Sequence, residues 1–348
     1  MESEDHASVP VFFIVGRARS GTTLLRSILD NHSSVIIPPE CPFVVNLYSR
    51  YHKRKNWTSC TLEKFYNDVI KQPAFDYLNI NKDKLRNDIL SSPLSILFDG
   101  LCRLVYLNYK PATPKENIKL IGDKNPHYSL FIPRLIKIFP EARFLHIIRD
   151  PRANVLSMMD VDFESPMLAS LAWRWKYYNR TIERQKIKHP ECFCTIRYED
   201  LVKEPEKYTH GICSYLGIEF TKSMLDFHKN KEEILKTYPA DAIGKYHKSL
   251  FLPISDARVD TWKQRLKPRQ IKAIDAVTGY FASAYGYQME YERTSVFQKL
   301  YVLPGIFYGW LYMVWGSFIS ILPFSIKMKV IYLMAVIFKP WWRKYRIG

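Results

Sequence analysis

The stretch from Val11 to Asn31 constrains the fold of this chain more than any other segment. Residues 11–15 form a short run of β-branched and aromatic side chains, which suits a strand buried on both faces of a parallel sheet. Leucine and isoleucine then recur at helical spacing over residues 24–29, and Gly16 and Gly21 bound the loop between the two segments. Such a loop points backbone N–H groups and the positive end of the helix dipole at one place. The stretch therefore predicts a strand, a phosphate-binding loop and a helix.

The loop has the glycine spacing of a nucleotide-binding P-loop but lacks its lysine. Thr22 and Thr23 follow the second glycine directly, where a P-loop continues with lysine and then serine or threonine. Arg17 and Arg19 stand earlier in the loop, and a guanidinium group can hold an anion with two parallel hydrogen bonds. The sequence therefore predicts an anion site served by arginine.

The string Arg19-Ser20-Gly21-Thr22-Thr23 resembles the 5′-phosphosulfate loop of sulfotransferases, which use 3′-phosphoadenosine 5′-phosphosulfate (PAPS) as sulfonate donor. A predicted strand over residues 143–148 leads into Arg149, Pro151 and a helix that carries Ser157, which resembles the family signature for the 3′-phosphate of PAPS. The motifs are closest to those of tyrosylprotein, carbohydrate-type and bacterial sulfotransferases. The resemblance implies that Arg149 and Ser157 bind the 3′-phosphate. It implies that the 5′-phosphosulfate is bound by Arg17, Arg19, Ser20, Gly21, Thr22 and Thr23.

A carboxylate and a lysine follow two other predicted strands. Glu40 comes after the apolar residues 35–37 and two prolines, and ligands of open α/β sheets bind beyond the carboxyl ends of strands. A glutamate at this distance from the loop arginine takes the acceptor proton in tyrosylprotein sulfotransferases, so the resemblance implies that Glu40 is the general base. Lys124, after a predicted strand over residues 118–121, resembles the lysine that contacts the transferring sulfonate.

His127 is a second candidate for the base. In the cytosolic phenol and steroid sulfotransferases, a histidine close behind the lysine has this role, and His127 lies one position beyond the expected place. Near the nucleotide, the resemblance implies a role for Tyr198. The cytosolic enzymes also close over the 3′-phosphate with an Arg-Lys-Gly triplet before Trp-Lys. This chain lacks the triplet, which leaves open whether Arg258 or Lys263 contacts the nucleotide.

The resemblance implies an α/β fold of three layers, like that of P-loop-containing nucleoside triphosphate hydrolases, with a central parallel sheet and an apolar helical C-terminal extension. We expect a disordered N-terminus over residues 1–8, a sulfotransferase domain over 9–292 and a membrane-associated region over 293–348. Residues 46–115 show helical periodicity, and the resemblance implies that they form an insertion that covers the acceptor site. Its aromatic residues are candidates for the site wall or for the core: Tyr48, Tyr51, Trp57 and Phe75.

The charge and the cysteine content of the chain limit the classes of partner that we expect. The 51 lysine and arginine residues against 34 aspartate and glutamate residues give a net charge of +17, which favours a nucleotide, an anionic acceptor or acidic lipid. No zinc-finger, bZIP or RNP pattern accompanies this charge, so we expect no nucleic-acid partner. The six scattered cysteines show no metal-ligand spacing and suit a reducing compartment, so we expect no metal. The polar residues before Val9 predict no signal peptide.

The C-terminal region predicts attachment to a membrane. Residues 302–326 carry no charge, no acidic residue follows Glu292, and aromatic and basic residues border the apolar runs, as at an interface with anionic headgroups. Pro304, Gly305 and Pro323 interrupt the longer run, which favours a monotopic or hairpin-like attachment over a single span. Because PAPS is a cytosolic metabolite, we expect attachment at the cytoplasmic face. A buried or dimerising helical tail, and hence a homodimer, is the alternative.

The expected reaction is transfer of the PAPS sulfonate to an acceptor hydroxyl, by in-line attack with Glu40 as base and no metal. The membrane-associated tail favours an apolar or membrane-resident acceptor, such as a sterol, a glycolipid or a lipid-linked sugar. Two rival functions remain open from the sequence: a P-loop kinase or NTPase, and a non-catalytic basic membrane-binding protein.

Overall fold

A central parallel sheet organises the molecule. The computed structural model describes residues 9–72, 74–161, 164–230, 235, 248–292, 294–322, 326, 329–330 and 333, so the predicted disorder over 1–8 lies outside the described residues. Within these residues five parallel strands pair in the order β2-β3-β1-β4-β5. The strands are β1 Val11–Val15, β2 Val35–Ile36, β3 Leu120–Lys124, β4 Arg143–Ile148 and β5 Phe193–Arg197.

Helices connect the strands and follow the last one. In the first half of the chain they are α1 Thr22–Asp30, α2 Phe43–Tyr51, α3 Ser59–Ile70, α4 Lys82–Leu90, α5 Phe98–Leu107 and α6 Ile132–Ile138. In the second half they are α7 Pro151–Met159, α8 Leu168–Lys188, α9 Tyr198–Lys203, α10 Pro205–Leu216, α11 Thr261–Arg265, α12 Pro268–Ser283 and α13 Val296–Ile321. Short 3₁₀ turns include Pro126–Leu130 and Lys248–Phe251.

The two faces of β1 pack against different helices. Phe13 belongs to the apolar core formed with α2 to α6, where its ring centroid lies 5.5 Å from that of Phe144. Phe12 and Ile14 point the other way and pack with α1, α9 and α10. All five residues of β1 are buried, as expected for a strand covered on both faces. The predicted three-layer α/β fold is thereby confirmed.

Strand β3 is longer at its carboxyl end than the sequence predicted. The prediction placed the strand at residues 118–121 and Lys124 in the following loop, whereas β3 ends at Lys124 itself. The parallel ladder continues because β1 supplies partners as far as Ile14, which pairs with Lys124. Glycine is needed at position 122 because the side chains of Phe12 and Ile37 occupy the space that a Cβ atom would fill.

Three of the four aromatic candidates within residues 46–115 lie in the core. The rings of Tyr51, Trp57 and Phe75 are buried in the core on the Phe13 side of the sheet. Tyr48 is half-buried and stacks on His52 at 3.8 Å between ring centroids. Three of the four candidates are therefore core aromatics, and Tyr48 packs against the edge of that core.

The apolar helix α13 packs against α8. It continues through Pro304 and Gly305, which the sequence predicted as interruptions, and it ends at Ile321. A Cβ atom at Gly305 would lie 2.6 Å from the Cβ of Ala169, and one at Gly309 would lie 3.0 Å from the ring of Trp173. The two glycines therefore let α13 approach α8 closely.

The other side of α13 is apolar and exposed. The exposed side chains recur at helical spacing and include Phe297, Leu300, Leu303, Phe307, Leu311 and Phe318. By length and composition, α13 is the one helix of the described residues that is apolar enough to cross a membrane. Most of the second apolar run, residues 330–338, and the basic residues after it lie outside the described residues.

Candidate active site

A cavity of about 900 Å³ lies at the carboxyl edge of the sheet. Each strand is followed by a residue that lines it, as the topology of an open α/β sheet predicts. These residues are Arg17 after β1, Glu40 after β2, Asn125 after β3, Arg149 after β4 and Tyr198 after β5. The predicted catalytic and nucleotide-binding segments thus converge on one cavity.

Two glycines shape the loop between β1 and α1. Gly16 lies so close to β4 that a Cβ atom would be 2.3 Å from the carbonyl oxygen of Ile147. Gly21 has a φ of 99°, in the left-handed region, and forms the N-cap of α1 without any side-chain capping hydrogen bond. The first amides of α1 lack intrahelical partners, and Gly21, Thr22 and Thr23 line the cavity. These donors and the helix dipole therefore favour an anion there.

The two predicted phosphate sites lie against each other. Arg19 has a φ of 67°, and its Nε donates to Ser157 Oγ at 3.0 Å. Arg149 Nη1 donates to the carbonyl of Arg19 at 3.2 Å, and Nη2 donates to the carbonyl of Arg258 at 2.9 Å. The Arg149 guanidinium also lies 4.5 Å from the ring centroid of Tyr198. Five predicted nucleotide-binding residues from separate segments are thereby brought together.

Ser20 lies behind the loop rather than at the cavity. Its side chain is fully buried, and its Oγ accepts a hydrogen bond from Asn154 Nδ2 at 3.0 Å. The same amide donates to the carbonyl of Ala18 at 2.8 Å. Asn154 therefore holds the loop against α7. The sequence interpretation missed Asn154, although its position three residues before Ser157 on one helix was a signal.

Glu40 and Lys124 form an ion pair at the carboxyl ends of neighbouring strands. The Lys124 side chain is 2% exposed, whereas that of Glu40 is 46% exposed and lines the cavity. Lys124 Nζ also lies 3.4 Å from Thr23 Oγ1, at the start of α1. The pair therefore joins the predicted base to the phosphate-binding helix.

A buried network in α1 fixes the segment before Glu40. Arg26 Nε donates to the carbonyl of Ile37 at 3.0 Å, and the amide of Ile37 donates to Asp30 Oδ1 at 2.8 Å. Arg26 and Asp30 are themselves ion-paired at 3.2 Å. The end of β2 is therefore tied to the helix that begins at the phosphate loop.

The remaining candidates differ in position. His127 is exposed and lines the cavity, with its ring edge-on to Phe131 at 5.0 Å. Arg258 lines the cavity too. Lys263 does not, and its exposed ammonium pairs with Asp260 at 3.1 Å. Of the two alternatives that the sequence left open, only Arg258 is placed at the cavity, because Lys263 points from α11 into solvent.

A family model described as "Sulfotransferase family" matches residues 10–222. The chain belongs to the sulfotransferase family. It is similar to protein-tyrosine sulfotransferase 1 of Danio rerio, with 23% identity over 287 residues, 80% of this chain and 72% of the relative. A putative protein-tyrosine sulfotransferase of Caenorhabditis briggsae is 24% identical over 225 residues, 63% of this chain and 69% of the relative.

A solved structure shows the same fold as this sulfotransferase. The sulfotransferase domain from the Synechococcus PCC 7002 olefin synthase superposes with a TM-score of 0.58 at 20% identity, covering 80% of this chain and 95% of that chain. Family membership confirms the predicted PAPS-dependent transferase. It also decides against the rival kinase, NTPase and non-catalytic functions.

The described residues of the sulfotransferase fit a donor with two anionic ends. The uncapped start of α1 offers backbone donors, and Arg19 and Arg149 offer guanidinium groups on its α7 side. These residues would hold the phosphosulfate and the 3′-phosphate, and the donor itself supplies the sulfonate. Which atoms bind which phosphate stays a prediction. In the part of the chain that the structure describes, no three His, Cys, Asp or Glu side chains are grouped to hold a metal ion.

Arg17 has a different set of neighbours from the other loop residues. Its Nη2 lies 2.5 Å and 2.6 Å from the carboxylate oxygens of Glu164, and its guanidinium lies 4.8 Å from the ring centroid of Tyr178. Arg174 pairs with the same carboxylate, and Tyr312 of α13 covers Arg174 at 4.0 Å. All five residues line the cavity. Only Arg17 was predicted as a site residue, because the others carry no local motif.

Proposed function

We propose that this sulfotransferase transfers the sulfonate of PAPS to the hydroxyl of an apolar, membrane-associated acceptor, with Glu40 as general base. The observation that carries the proposal is the Glu40–Lys124 pair, which lies on the cavity wall beside the uncapped start of α1. A carboxylate at that place can receive a proton, while the neighbouring donors balance negative charge.

Each side chain has a definite part in the proposed reaction. The acceptor oxygen forms a bond to sulfur as the bond from sulfur to the 5′-phosphate oxygen breaks, and its proton passes to Glu40. The electron pair of the broken bond stays on adenosine 3′,5′-bisphosphate (PAP). Lys124, Arg19 and the first amides of α1 stabilise the charge that develops on the sulfonate and phosphate oxygens. Arg149 and Ser157 hold the 3′-phosphate, which ATP lacks.

Local geometry favours Glu40 over His127 as the base. Glu40 contacts Lys124, which in turn reaches Thr23 at the helix start, so the carboxylate is tied to the phosphate site. Arg26 and Asp30 further anchor the chain just before it. His127 is exposed, and its ring lies edge-on to Phe131 at 5.0 Å between ring centroids.

The position of α13 supports an apolar, membrane-associated acceptor. One side of this helix packs on α8 through Gly305 and Gly309, and the other exposes an apolar stripe that begins at Phe297. Because α8 carries charged residues such as Arg180 and Arg184, we propose that α13 lies in the plane of the interface rather than across the bilayer. Tyr312 of the same helix lines the cavity, so acceptors in the membrane would meet the site directly.

The proposed location is the cytoplasmic face of a membrane. The six cysteines are free thiols, which suits a reducing compartment. The basic residues that follow Glu292 in the sequence suit anionic lipid headgroups. A homodimer stays a prediction of the sequence alone.

A labelled-PAPS transfer assay tests the function. The acceptors are a sterol, a glycolipid, a lipid-linked sugar and a tyrosyl peptide, since the similar proteins are named protein-tyrosine sulfotransferases. We expect transfer to at least one lipid acceptor with a higher kcat/KM than to the peptide. Glu40→Gln should lower kcat by about 10²- to 10⁴-fold and leave PAP affinity unchanged. His127→Asn is the matched control. Full turnover in Glu40→Gln with loss in His127→Asn would transfer the role to the histidine.

Vesicle sedimentation tests the membrane proposal. The full chain should sediment with vesicles that contain phosphatidylserine, and the double substitution Phe307→Ser and Leu311→Ser should release it. Both side chains are exposed, so the domain should keep its melting temperature. Equal sedimentation of the two proteins would contradict attachment through the apolar stripe.

A further inference from the structure

We infer that Arg17, Glu164 and Arg174 form a subsite for an acidic group, phosphate or carboxylate, carried by the acceptor. The inference rests on the proposed function and names the class of acceptor: an amphiphile with both a hydroxyl and an oxyanion. We call these three residues, with Tyr178 and Tyr312, the acceptor-side cluster.

The acceptor-side cluster is a built and buried arrangement. The side chains of Arg17, Glu164 and Arg174 are 4%, 4% and 6% exposed, yet all three line the cavity. Arg17 binds the carboxylate through one nitrogen, Nη2, and Arg174 reaches the same Oε1. Tyr178 and Tyr312 lie over the two guanidinium groups. Flat rings therefore hold the planar cations in place beside the cavity.

The charges within the cluster do not balance. Two guanidinium groups share one carboxylate, so the cluster carries one excess positive charge. Nε of Arg17 and Nε of Arg174 have no hydrogen-bond partner among the described residues. Burial lowers the pKa of Arg174, and the charge of Arg17 lowers it further, so the two cations repel each other. An oxyanion would supply the missing charge and acceptors, because a buried charge is costly unless it is paired.

The donor does not need this cluster. Its two anionic ends have Arg19, Arg149, Ser157 and the amides of α1 on the α7 side. Arg17 turns instead toward α8, and the cluster is closed by Tyr312 of α13, the helix that we propose lies on the membrane. An acceptor with its acidic group at Arg17 and Arg174 would have its apolar part near the exposed stripe of α13.

Matched acceptor pairs test the subsite in the full chain. One pair is an ω-hydroxy fatty acid and its methyl ester, and the other is lysophosphatidate and monoacylglycerol. We expect the acidic member of one pair to have a kcat/KM about 10-fold or more above its neutral partner. The first pair identifies a carboxylate and the second a phosphate. Arg17→Gln and Arg174→Gln should abolish this preference while PAP affinity stays within about twofold. Arg265→Gln is the control, since Arg265 lines the same cavity but is paired and exposed.

A binding measurement separates the inference from the proposed function. Hexadecyl phosphate and palmitate lack a hydroxyl, so their binding to the PAP-saturated enzyme can be measured by calorimetry without turnover. Binding of either that depends on Arg17 supports the subsite even if no acceptor in the panel is sulfated. The subsite would be contradicted if lipids were sulfated without a preference for the acidic acceptor and if neither anionic amphiphile showed binding that depends on Arg17. The cluster would then serve only to hold α13 against α8.

Glu164→Gln provides a variant with the opposite expected sign. It removes the carboxylate that competes for the two guanidinium groups among the described residues, so binding of the anionic amphiphile should become about 3-fold tighter or more. A purely structural clamp predicts unchanged or weaker binding. Arg174→Lys keeps the charge and serves where Arg174→Gln lowers the melting temperature; it should weaken binding because the forked geometry is lost.

Discussion

The two sides of the cavity are built in different ways. The proposed donor side consists of the loop from Gly16 to Thr23 apart from Arg17, with Arg149, Ser157, Tyr198 and Arg258, and most of these residues follow strand ends or begin helices. The acceptor-side cluster joins one loop residue to side chains from the segment before α8, from α8 and from α13. A residue that follows a strand is positioned by the backbone next to it in the sequence, so short sequence motifs identify the donor side. The residues of the acceptor-side cluster are brought together by the packing of helices that are distant in the sequence, so no short motif identifies them.

Lys124 lies where the two sides meet, and its loss should give the largest effect. Lys124→Ala removes a buried cation that holds Glu40 and reaches the start of α1. We expect kcat to fall by about 10²- to 10³-fold, because a donor to the developing charge is lost. Affinity for PAP, which has no sulfonate, should change by less than about 3-fold.

Steady-state kinetics and PAP calorimetry measure the two effects of Lys124→Ala. Lys207→Ala is the control, since Lys207 is an exposed lysine paired with Glu204. If PAP affinity fell as much as kcat, Lys124 would act only in binding the donor and not in stabilising the developing charge.

Asp123, the neighbour of Lys124 on β3, should set a pH dependence of the stability of the protein. Burial, followed by the Glu40 charge, raises the pKa of Asp123 from 3.8 to about 7, although the hydrogen bond from Tyr106 opposes this shift. The native state therefore holds a proton that the unfolded chain releases above about pH 4. Stability must fall as pH rises, by roughly 2–3 kcal/mol between pH 5 and pH 8.

Urea unfolding from pH 5 to pH 8 checks the role of Asp123. In Asp123→Asn the neutral side chain is permanent, so this part of the pH dependence should disappear. Parallel curves for the two proteins would show that Asp123 is already ionised at pH 5.

Arg149→Ala should damage the donor side alone. Arg149 donates to the carbonyls of Arg19 and Arg258, and it would hold the 3′-phosphate. A charge-assisted hydrogen bond contributes about 1.5–3 kcal/mol, so PAP affinity should fall by about 10- to 100-fold. ATP lacks the 3′-phosphate, and its affinity should fall far less. Calorimetry with both nucleotides is the measurement, and Arg86→Ala, at an exposed pair with Glu63, is the control.

The sequence predicted the sheet, the phosphate loop and the convergence of Glu40, Lys124 and Arg149, because each depends on a short segment and its strand. It left open whether the aromatic residues within 46–115 line the site or belong to the core, and the structure places Tyr51, Trp57 and Phe75 in the core. It gave no sign of the ion pair between Arg17 and Glu164, since the direction of a side chain depends on partners that are far along the chain. The continuity of α13 through Pro304 likewise depends on its packing against α8.

Gly305→Ala should affect the acceptor side by a smaller amount. The new Cβ would lie 2.6 Å from that of Ala169, so α13 must shift away from α8, and Tyr312 would shift with it. We expect KM for the best acceptor to rise by about 3- to 10-fold, as one or two contacts weaken. PAP affinity should be unchanged, because the donor side has no described residue from α13.

Gly316→Ala is the matched control within the same helix. A Cβ atom there meets nothing within 4 Å, so this change should only raise helix stability, by about 0.5–1 kcal/mol. Acceptor titrations and PAP calorimetry on both variants make the comparison. If Gly305→Ala and Gly316→Ala gave the same acceptor KM, α13 would not help to form the acceptor side. Gly305→Ala could instead weaken the binding of PAP as much as the binding of the acceptor. The donor side and the acceptor side would then form one packed unit, in which Arg19 and Arg17 both respond to the position of α13.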